Sequence, residues 1–211
     1  MSYRRRITAG LLAVVGTAGL TAAGCGSAGS DKASGNAVDK AFASEMTAHH
    51  QGALDMAGVA RTRAGHREIR TLASSIVSTQ TPEIAQLKTA TKDLGGSSEG
   101  HSGGAMHGGH DMASQGNLRT LGLSEAQAGM MHDANALTTA KPFDRAFIDM
   151  MVPHHQGAIR MARVELAKGK NAKLKALAQR IISAQSGEIG QMNSWRQGWY
   201  RAPSPSGGIP S

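Results

Sequence analysis

The stretch MVPHHQGAIRMA, which spans residues 151–162, decides the fold because the chain contains a close copy of it. Residues 46–57 read MTAHHQGALDMA, with the paired histidine and both methionines in the same order and at the same spacing. The copies lie 105 positions apart, and at this offset the chain aligns with itself without a gap from Asp39 to Leu87. Such self-similarity predicts an internal duplication in which each copy is one structural unit.

Apolar residues in each copy recur at steps of three and four, which is the period of one face of an amphipathic α-helix. Gly65 and Gly169 stand just after the two stripes and predict the ends of these helices. A second amphipathic stretch follows in each copy, and so short a connection predicts an antiparallel helical hairpin. The stripes of the first helices are Phe42, Met46, His49, Ala53, Met56 and Ala60, and Phe147, Met151, His154, Ala158 and Met161.

The predicted fold is all-α: a four-helix bundle made of two repeated αα-hairpins, with a short extra helix between them. Each hairpin exposes one apolar face, and packing the two together buries both faces. Aromatic residues make up only 3% of the chain, which disfavours a large β-sandwich core. The predicted segments are the first hairpin at 38–94, a Gly/His/Met-rich linker at 95–123, a connecting helix at 124–140, the second hairpin at 141–200 and a disordered tail at 201–211.

The N-terminus has the pattern of an export signal. Arginines at 4–6 precede an apolar run of small residues that leads to Cys25, the single cysteine. We therefore expect a signal peptide at 1–24, and a lipidated Cys25 that begins a flexible tether at 25–37. Lipidation would anchor the protein on the outer face of the cytoplasmic membrane. The alternatives are an ordinary secretory signal with an incidental cysteine, which gives a secreted protein, and an uncleaved membrane anchor.

Histidine and methionine side chains in both copies form a candidate metal site. His49 lies within the apolar stripe, and His50 lies on its shoulder, one helical turn after Met46. Imidazole and thioether ligands with a carboxylate nearby suit Cu(I) and tolerate Cu(II), and they suit Mg or Ca poorly. The alternative is a buried polar core without metal, in which His49 bonds to Glu83 and the second copy repeats this pair. The candidate ligands are Met46, His49, His50, Met56 and Glu83, and Met151, His154, His155, Met161 and Glu188.

The linker contains a second concentration of the same ligand types in the segment HSGGAMHGGHDM, residues 101–112. A glycine-rich backbone would let these side chains converge on one ion, in a site suited to capture and exchange. A plain flexible connector with incidental histidines is the alternative. The candidate ligands here are His101, Met106, His107, His110 and Met112.

Two long phrases of the second copy, FDRAFIDMMVPHHQGAIRMA at 143–162 and SAQSGEIGQMNSW at 183–195, strongly resemble the domain-of-unknown-function 305 family. The resemblance covers about residues 38–199. It implies an exported bacterial protein with a ferritin-like four-helix fold and a link to copper binding and copper tolerance. The family motif falls on the methionines and paired histidines of both copies, and the glutamates of its second helices fall on Glu83 and Glu188.

These patterns predict a non-enzymatic lipoprotein that binds copper, as Cu(I) or Cu(II), and sequesters or buffers it at the cell envelope. Two alternatives stay open: a ferritin-like dinuclear metal oxidase, and a structural helical module with a buried His–Glu network and no metal. The oxidase needs a carboxylate-rich site, whereas each hairpin offers two histidines and one well-placed glutamate. The net charge of +8 is spread along the chain and lacks the basic stripe of a nucleic-acid binder. The expected partners are therefore a metal ion and, through the lipid, the membrane.

Overall fold

The computed structural model describes residues 34–95 and 112–210, and these two ranges contain six α-helices and no strand. The predicted all-α class is therefore confirmed. The predicted signal peptide, Cys25 and most of the linker lie outside the described residues. None of the described helices is both long and apolar enough to cross a membrane. The helices are α1 (Ala37–Arg63), α2 (Arg67–Asp93), α3 (Met112–Leu121), α4 (Ala134–Thr139), α5 (Phe143–Lys168) and α6 (Ala172–Tyr200).

Helices α1, α2, α5 and α6 form two hairpins that pack together as a four-helix bundle. The main contacts join α1 to α2 and α5 to α6, and α1 also packs along α5. Two apolar clusters fill the interior, one containing Phe42 and Met46 and the other containing Phe147 and Met151. On both α1 and α5 the paired histidines fall between the parts of the helix that enter these clusters. The bundle therefore has a polar layer across its middle.

Each hairpin turn is held by an aspartate from the other hairpin. Asp144, in the first turn of α5, accepts hydrogen bonds from the backbone N–H groups of Gly65 (3.0 Å) and His66 (2.8 Å). Asp39, in the first turn of α1, accepts one from the backbone N–H of Asn171 (2.8 Å). These bonds satisfy N–H groups near the start of α2 and α6 that the helices themselves leave free. The two hairpins are thus latched to each other at both turns.

A second carboxyl group, that of Glu165, lies buried beside Asp39. Burial raises the pKa of Glu165 to about 8, and the neighbouring Asp39 adds to the shift. Burial also opposes ionisation of Asp39, but backbone hydrogen bonds, first from Asn36, outweigh it and lower the pKa of Asp39. The pair therefore holds one proton at neutral pH, and Glu165 carries it. Gly169 makes room for this carboxyl, since a Cβ there would stand 2.2 Å from Glu165 Oε1.

The chain between the hairpins differs from the prediction. Helix α3 lies inside the segment predicted as linker and buries Leu121 in the apolar cluster beside α1. The segment 124–140, predicted as one connecting helix, is instead a turn followed by the short α4. Ser124 N donates to Gln127 Oε1 and Gln127 N donates to Ser124 Oγ, as in a capping box at the start of a helix. Gly129, however, adopts a φ of +69°, and left-handed backbone cannot continue an α-helix.

The tail also differs from the prediction of disorder. Residues 201–210, here called the C-terminal strap, fold back on the second hairpin. Side chains of α5 and α6 donate hydrogen bonds to the backbone carbonyls of the strap. Gln156 Nε2 donates to Ser206 O at 2.8 Å, and Asn193 Nδ2 donates to Gly207 O at 2.8 Å. Proline and glycine disfavour helix and strand, but they leave carbonyl acceptors that neighbouring amides can use. Composition alone therefore did not decide whether this segment is ordered.

The buried carboxyl of Glu165 should make stability fall as pH rises. Between about pH 4.5 and about pH 8 the folded chain keeps a proton on Glu165 that the unfolded chain has released, so the free energy of unfolding decreases across this window. Glu165→Gln removes this loss. In urea unfolding, the free energy of unfolding of the variant should increase relative to that of the wild type as pH rises, by a few kcal/mol at about pH 8. Glu68→Gln, at an exposed position of α2, is the control, and parallel pH curves for Glu165→Gln and wild type would contradict the assignment.

Candidate metal centre

The centre of the polar layer is the contact between His49 of α1 and His154 of α5. Their ring centroids are 3.7 Å apart, and both side chains are buried. His49 Nε2 donates a hydrogen bond to the backbone carbonyl of His154 at 2.9 Å. Gly52 leaves space for the second ring, since a Cβ at that position would stand 3.4 Å from His154 Nε2. The two helices therefore approach each other closely at the repeated motif.

The second histidine of each pair bonds to a glutamate of its own hairpin. His50 Nε2 lies 2.9 Å from Glu83 Oε2, and His155 Nε2 lies 2.6 Å from Glu188 Oε2. This corrects the metal-free alternative, which gave these carboxylates to the first histidine of each pair. Adjacent residues of an α-helix point about 100° apart, so the first histidine faces the other hairpin while the second faces the second helix of its own.

These hydrogen bonds leave the other ring nitrogen of His49, His50 and His155 without a partner among the described residues. A carbonyl or carboxylate accepts from Nε2 in His49, His50 and His155, so Nε2 carries a proton and, in the neutral form of the ring, Nδ1 carries the lone pair. These three Nδ1 atoms, and Nδ1 of His154, are buried and have no hydrogen-bond partner among the described residues. Each such atom costs about 1–3 kcal/mol. Four of them in one layer are therefore better explained as donors for a ligand than as a source of stability.

Burial keeps the two central histidines neutral. It lowers the pKa of His49 well below its usual value, and the neighbouring His50 lowers it further. The pKa of His154 is likewise well below its usual value, first because of burial and then because of His49. Neutral imidazole is the form that binds metal ions. At physiological pH both rings are therefore already in the neutral form that can bind a metal ion.

Four buried methionines flank the histidine layer, two on each side. Met46 shares an apolar cluster with Met161, and Met56 shares the other cluster with Met151. Each pair therefore takes one methionine from each hairpin. Because thioether sulfur is a soft ligand, an ion held by these sulfurs and the central imidazoles would be shared between the hairpins.

Histidine and carboxylate ligands alone do not make a site in residues 34–95 and 112–210, where no three His, Cys, Asp or Glu side chains are arranged to hold an ion. Glu83 and Glu188 already accept bonds from histidines. An ion in the layer would therefore need methionine sulfur beside imidazole nitrogen. Of the predicted linker ligands, Met112 begins α3 and is 83% exposed. The others lie outside the described residues; they are His101, Met106, His107 and His110.

One further histidine, His132, reaches the layer although its sequence position did not predict this. Its ring lies 5.7 Å from that of His154 and edge-on to it, and burial lowers the pKa of His132. Met130 packs against the apolar cluster that contains Met46. The Met-Met-His triplet at 130–132 is the signal that could have found them, but it stands outside the duplicated segments.

The fold is shared with proteins of known structure. CopM in the Cu(II)-bound form is 38% identical to this chain, over 77% of this chain and 97% of CopM, with a TM-score of 0.62. CopM in the Cu(I)-bound form is 34% identical with the same coverage and a TM-score of 0.59. A DUF305 protein from Streptomyces coelicolor shares the fold at 23% identity, with a TM-score of 0.62 over 79% of this chain and 94% of that one.

Among curated proteins, uncharacterized protein L153 of Acanthamoeba polyphaga mimivirus is 39% identical over 51 residues, which is 24% of this chain and about a third (34%) of the viral protein. The family described as domain of unknown function (DUF305) matches residues 39–205. That range contains nearly all of both hairpins and the whole polar layer. It confirms the resemblance found in the sequence, and the chain belongs to the DUF305 family.

Proposed function

We propose that this protein binds copper in the polar layer of its bundle and retains it, as a sequestering or buffering protein and not as an enzyme. One observation carries the proposal: four buried histidine Nδ1 atoms, which have no partner within residues 34–95 and 112–210, lie between two pairs of buried methionines. Imidazole and thioether together suit Cu(I) and tolerate Cu(II). A bound ion would give these nitrogen atoms the partner that the described side chains do not supply.

The structural relatives support copper as the ion. CopM, of which this chain covers nearly the whole length, is known in Cu(I)-bound and Cu(II)-bound forms. It is also known in an Ag-bound form. Silver(I) is a soft ion of a single oxidation state, so it can serve as a probe of the same ligands without redox chemistry.

The burial of the ligands supports retention more than turnover. His49 and His154 are at most 3% exposed, so an ion can reach or leave them only when the bundle opens locally. Such opening makes release slow. A catalytic metal keeps an open coordination position for its substrate, whereas apolar clusters close this layer on both sides.

The cell envelope is the proposed location. The export signal at 1–24 and the lipidation pattern at Cys25 support it, with the lipid holding the protein on the outer face of the cytoplasmic membrane. Histidine and methionine remain usable ligands in an oxidising compartment, where free thiols are lost. A copper buffer placed there would bind the ion before it crosses into the cytoplasm.

A dinuclear oxidase finds less support. Such a centre uses carboxylates from several helices to hold two metal ions. Here Glu83 and Glu188 are each bonded to one histidine. Glu45, the other glutamate beside the motif, accepts hydrogen bonds from Ser114 Oγ (2.8 Å) and Asn117 Nδ2 (2.9 Å) of α3. The carboxylates are thus committed to partners within the fold.

Metal retention should follow the histidines of the bundle as well as those of the linker. The chain, incubated anaerobically with Cu(I) and then desalted, should retain copper. A variant with His101, His107 and His110 changed to Ser should retain the share held by the bundle, and adding His49→Leu and His154→Leu should remove that share. Elemental analysis gives the copper bound per chain. Retention that is the same in all three proteins would contradict the proposal.

His154→Leu should separate the ligand role from a structural one. Leucine removes a buried Nδ1 that has no partner, so the metal-free variant should unfold within a few degrees of the wild type or above it. Saturating Ag(I) should stabilise the wild type, by about 2.7 kcal/mol when its free concentration is about 100 times Kd. The variant should lose most of this gain, as thermal unfolding with and without Ag(I) will show.

Gln185→Leu is the matched control for that measurement. Gln185 is also buried in the bundle, and both of its side-chain polar atoms lack partners among the residues that the structure describes. An amide, however, is not a soft ligand. This variant should therefore keep the full gain from Ag(I). A large loss of metal-free stability in His154→Leu, with no effect of Ag(I) on the wild type, would support the structural module instead.

A further inference from the structure

The site loop, residues 124–133, lies directly on α5 at the histidine pair of the second hairpin. Two glycines permit this contact. A Cβ at Gly157 would stand 2.1 Å from Ala128 O, and a Cβ at Gly129 would stand 2.8 Å from His154 O. Backbone therefore meets backbone, and any side chain at either position would push the loop away from the helix. The fold thus fixes the loop at the repeated motif itself.

His132 presents a metal-binding nitrogen from the site loop. Its Nδ1 donates to Gly129 O at 2.9 Å, so the proton sits on Nδ1 and Nε2 carries the lone pair. The ring stands edge-on to His154, with 5.7 Å between centroids and 70° between planes. His132 is partly exposed, whereas His154 is buried and its Nδ1 has no partner in the described chain. His132 is therefore the ring nearer to solvent, and His154 is the ring inside the buried layer.

Two methionines precede His132, and they differ in their surroundings. Met130 packs against the apolar cluster that contains Met46 and Met161, whereas Met131 is 69% exposed. Met130 and His132 therefore offer a partly buried thioether and a partly exposed imidazole at the layer, whereas the exposed Met131 serves as a comparison. These are the ligand types of the layer beneath them, and they suit the same soft ion.

The first hairpin has no equivalent of this loop in the part of the chain that the structure describes. There the ring of His49 contacts those of His50 and His154. Helix α3 covers α1 and contributes Leu118 and Leu121 to an apolar cluster. The two halves of the layer therefore differ in what separates them from solvent.

We propose that Met130 and His132 form the receiving site for copper, from which the ion passes to His154, so that the bundle loads through its second half. This rests on the proposed copper function and names the residues that give the ion access. The step is a ligand exchange: His132 Nε2 and the Met130 sulfur bind the ion first, and buried imidazole nitrogen replaces them. The ion keeps its oxidation state throughout.

The rate of copper uptake tests the proposal. The full chain with His101, His107 and His110 changed to Ser serves as the background, so that the linker does not mask the bundle. Mixing it with the coloured Cu(I)–bicinchoninate complex and following the loss of colour gives the transfer rate. His132→Asn should slow transfer about tenfold, which corresponds to about 1.4 kcal/mol of activation free energy. Met130→Leu should also slow it, and Met131→Leu, at the exposed neighbouring position, should not.

A second pair of measurements does not depend on removing a ligand. Gly157→Ala displaces the loop without removing any ligand side chain, and it should slow transfer as His132→Asn does. In nitrogen-detected NMR of the histidine rings, recorded at successive times after substoichiometric Ag(I) is added, the His132 resonances should shift before those of His49. Folding of each variant is checked by circular dichroism.

The outcomes distinguish this inference from the function on which it rests. If the background takes up copper and His132→Asn matches its rate, the receiving site is wrong and the copper function stands. If the wild type takes up copper but the background takes up none, the bundle is not loaded at all and the receiving site is again wrong. If the wild type itself takes up no copper, both proposals fail.

Discussion

The close crossing of α1 and α5 at the repeated motif is the constraint on which the rest of the structure depends. The hydrogen bond from His49 Nε2 to the carbonyl of His154, and the rings 3.7 Å apart, fix the two hairpins in register. This register turns the second histidine of each pair towards the glutamate of its own hairpin. It also places methionines from both hairpins on each side of the layer. The donor set is therefore a product of the interface between the hairpins.

The same layer is a poor source of stability. Polar atoms buried without partners cost free energy. In the part of the chain that the structure describes, the four histidine nitrogens and both polar side-chain atoms of Gln185 have no partner. The apolar clusters on either side and the latches made by Asp39 and Asp144 hold the layer in place. This loss of free energy in the centre of the fold is consistent with a ligand-binding role, because a bound ligand would give the unpaired atoms a partner and offset the loss.

The two hairpins have similar frameworks and differ in what covers them. Gln51 is exposed and bonds to Asp55 on its own helix, whereas the equivalent Gln156 is buried and holds the C-terminal strap. Helix α3 covers the first hairpin and the site loop covers the second. The paired histidines of the two hairpins thus lie in one layer inside the bundle, while different segments cover them on the outside.

The sequence by itself determined the four long helices, their buried faces and the ligand types of the layer, because an offset of 105 and a helical period are local properties. Only the tertiary structure decided that Glu83 forms its hydrogen bond with His50, since this depends on how α1 is rotated against its neighbours. It also decided that His132 joins the layer and that residues 201–210 are ordered. Those contacts join parts of the chain that no short-range pattern connects, and glycine backbone at Gly129 and Gly157 makes the approach of the loop possible.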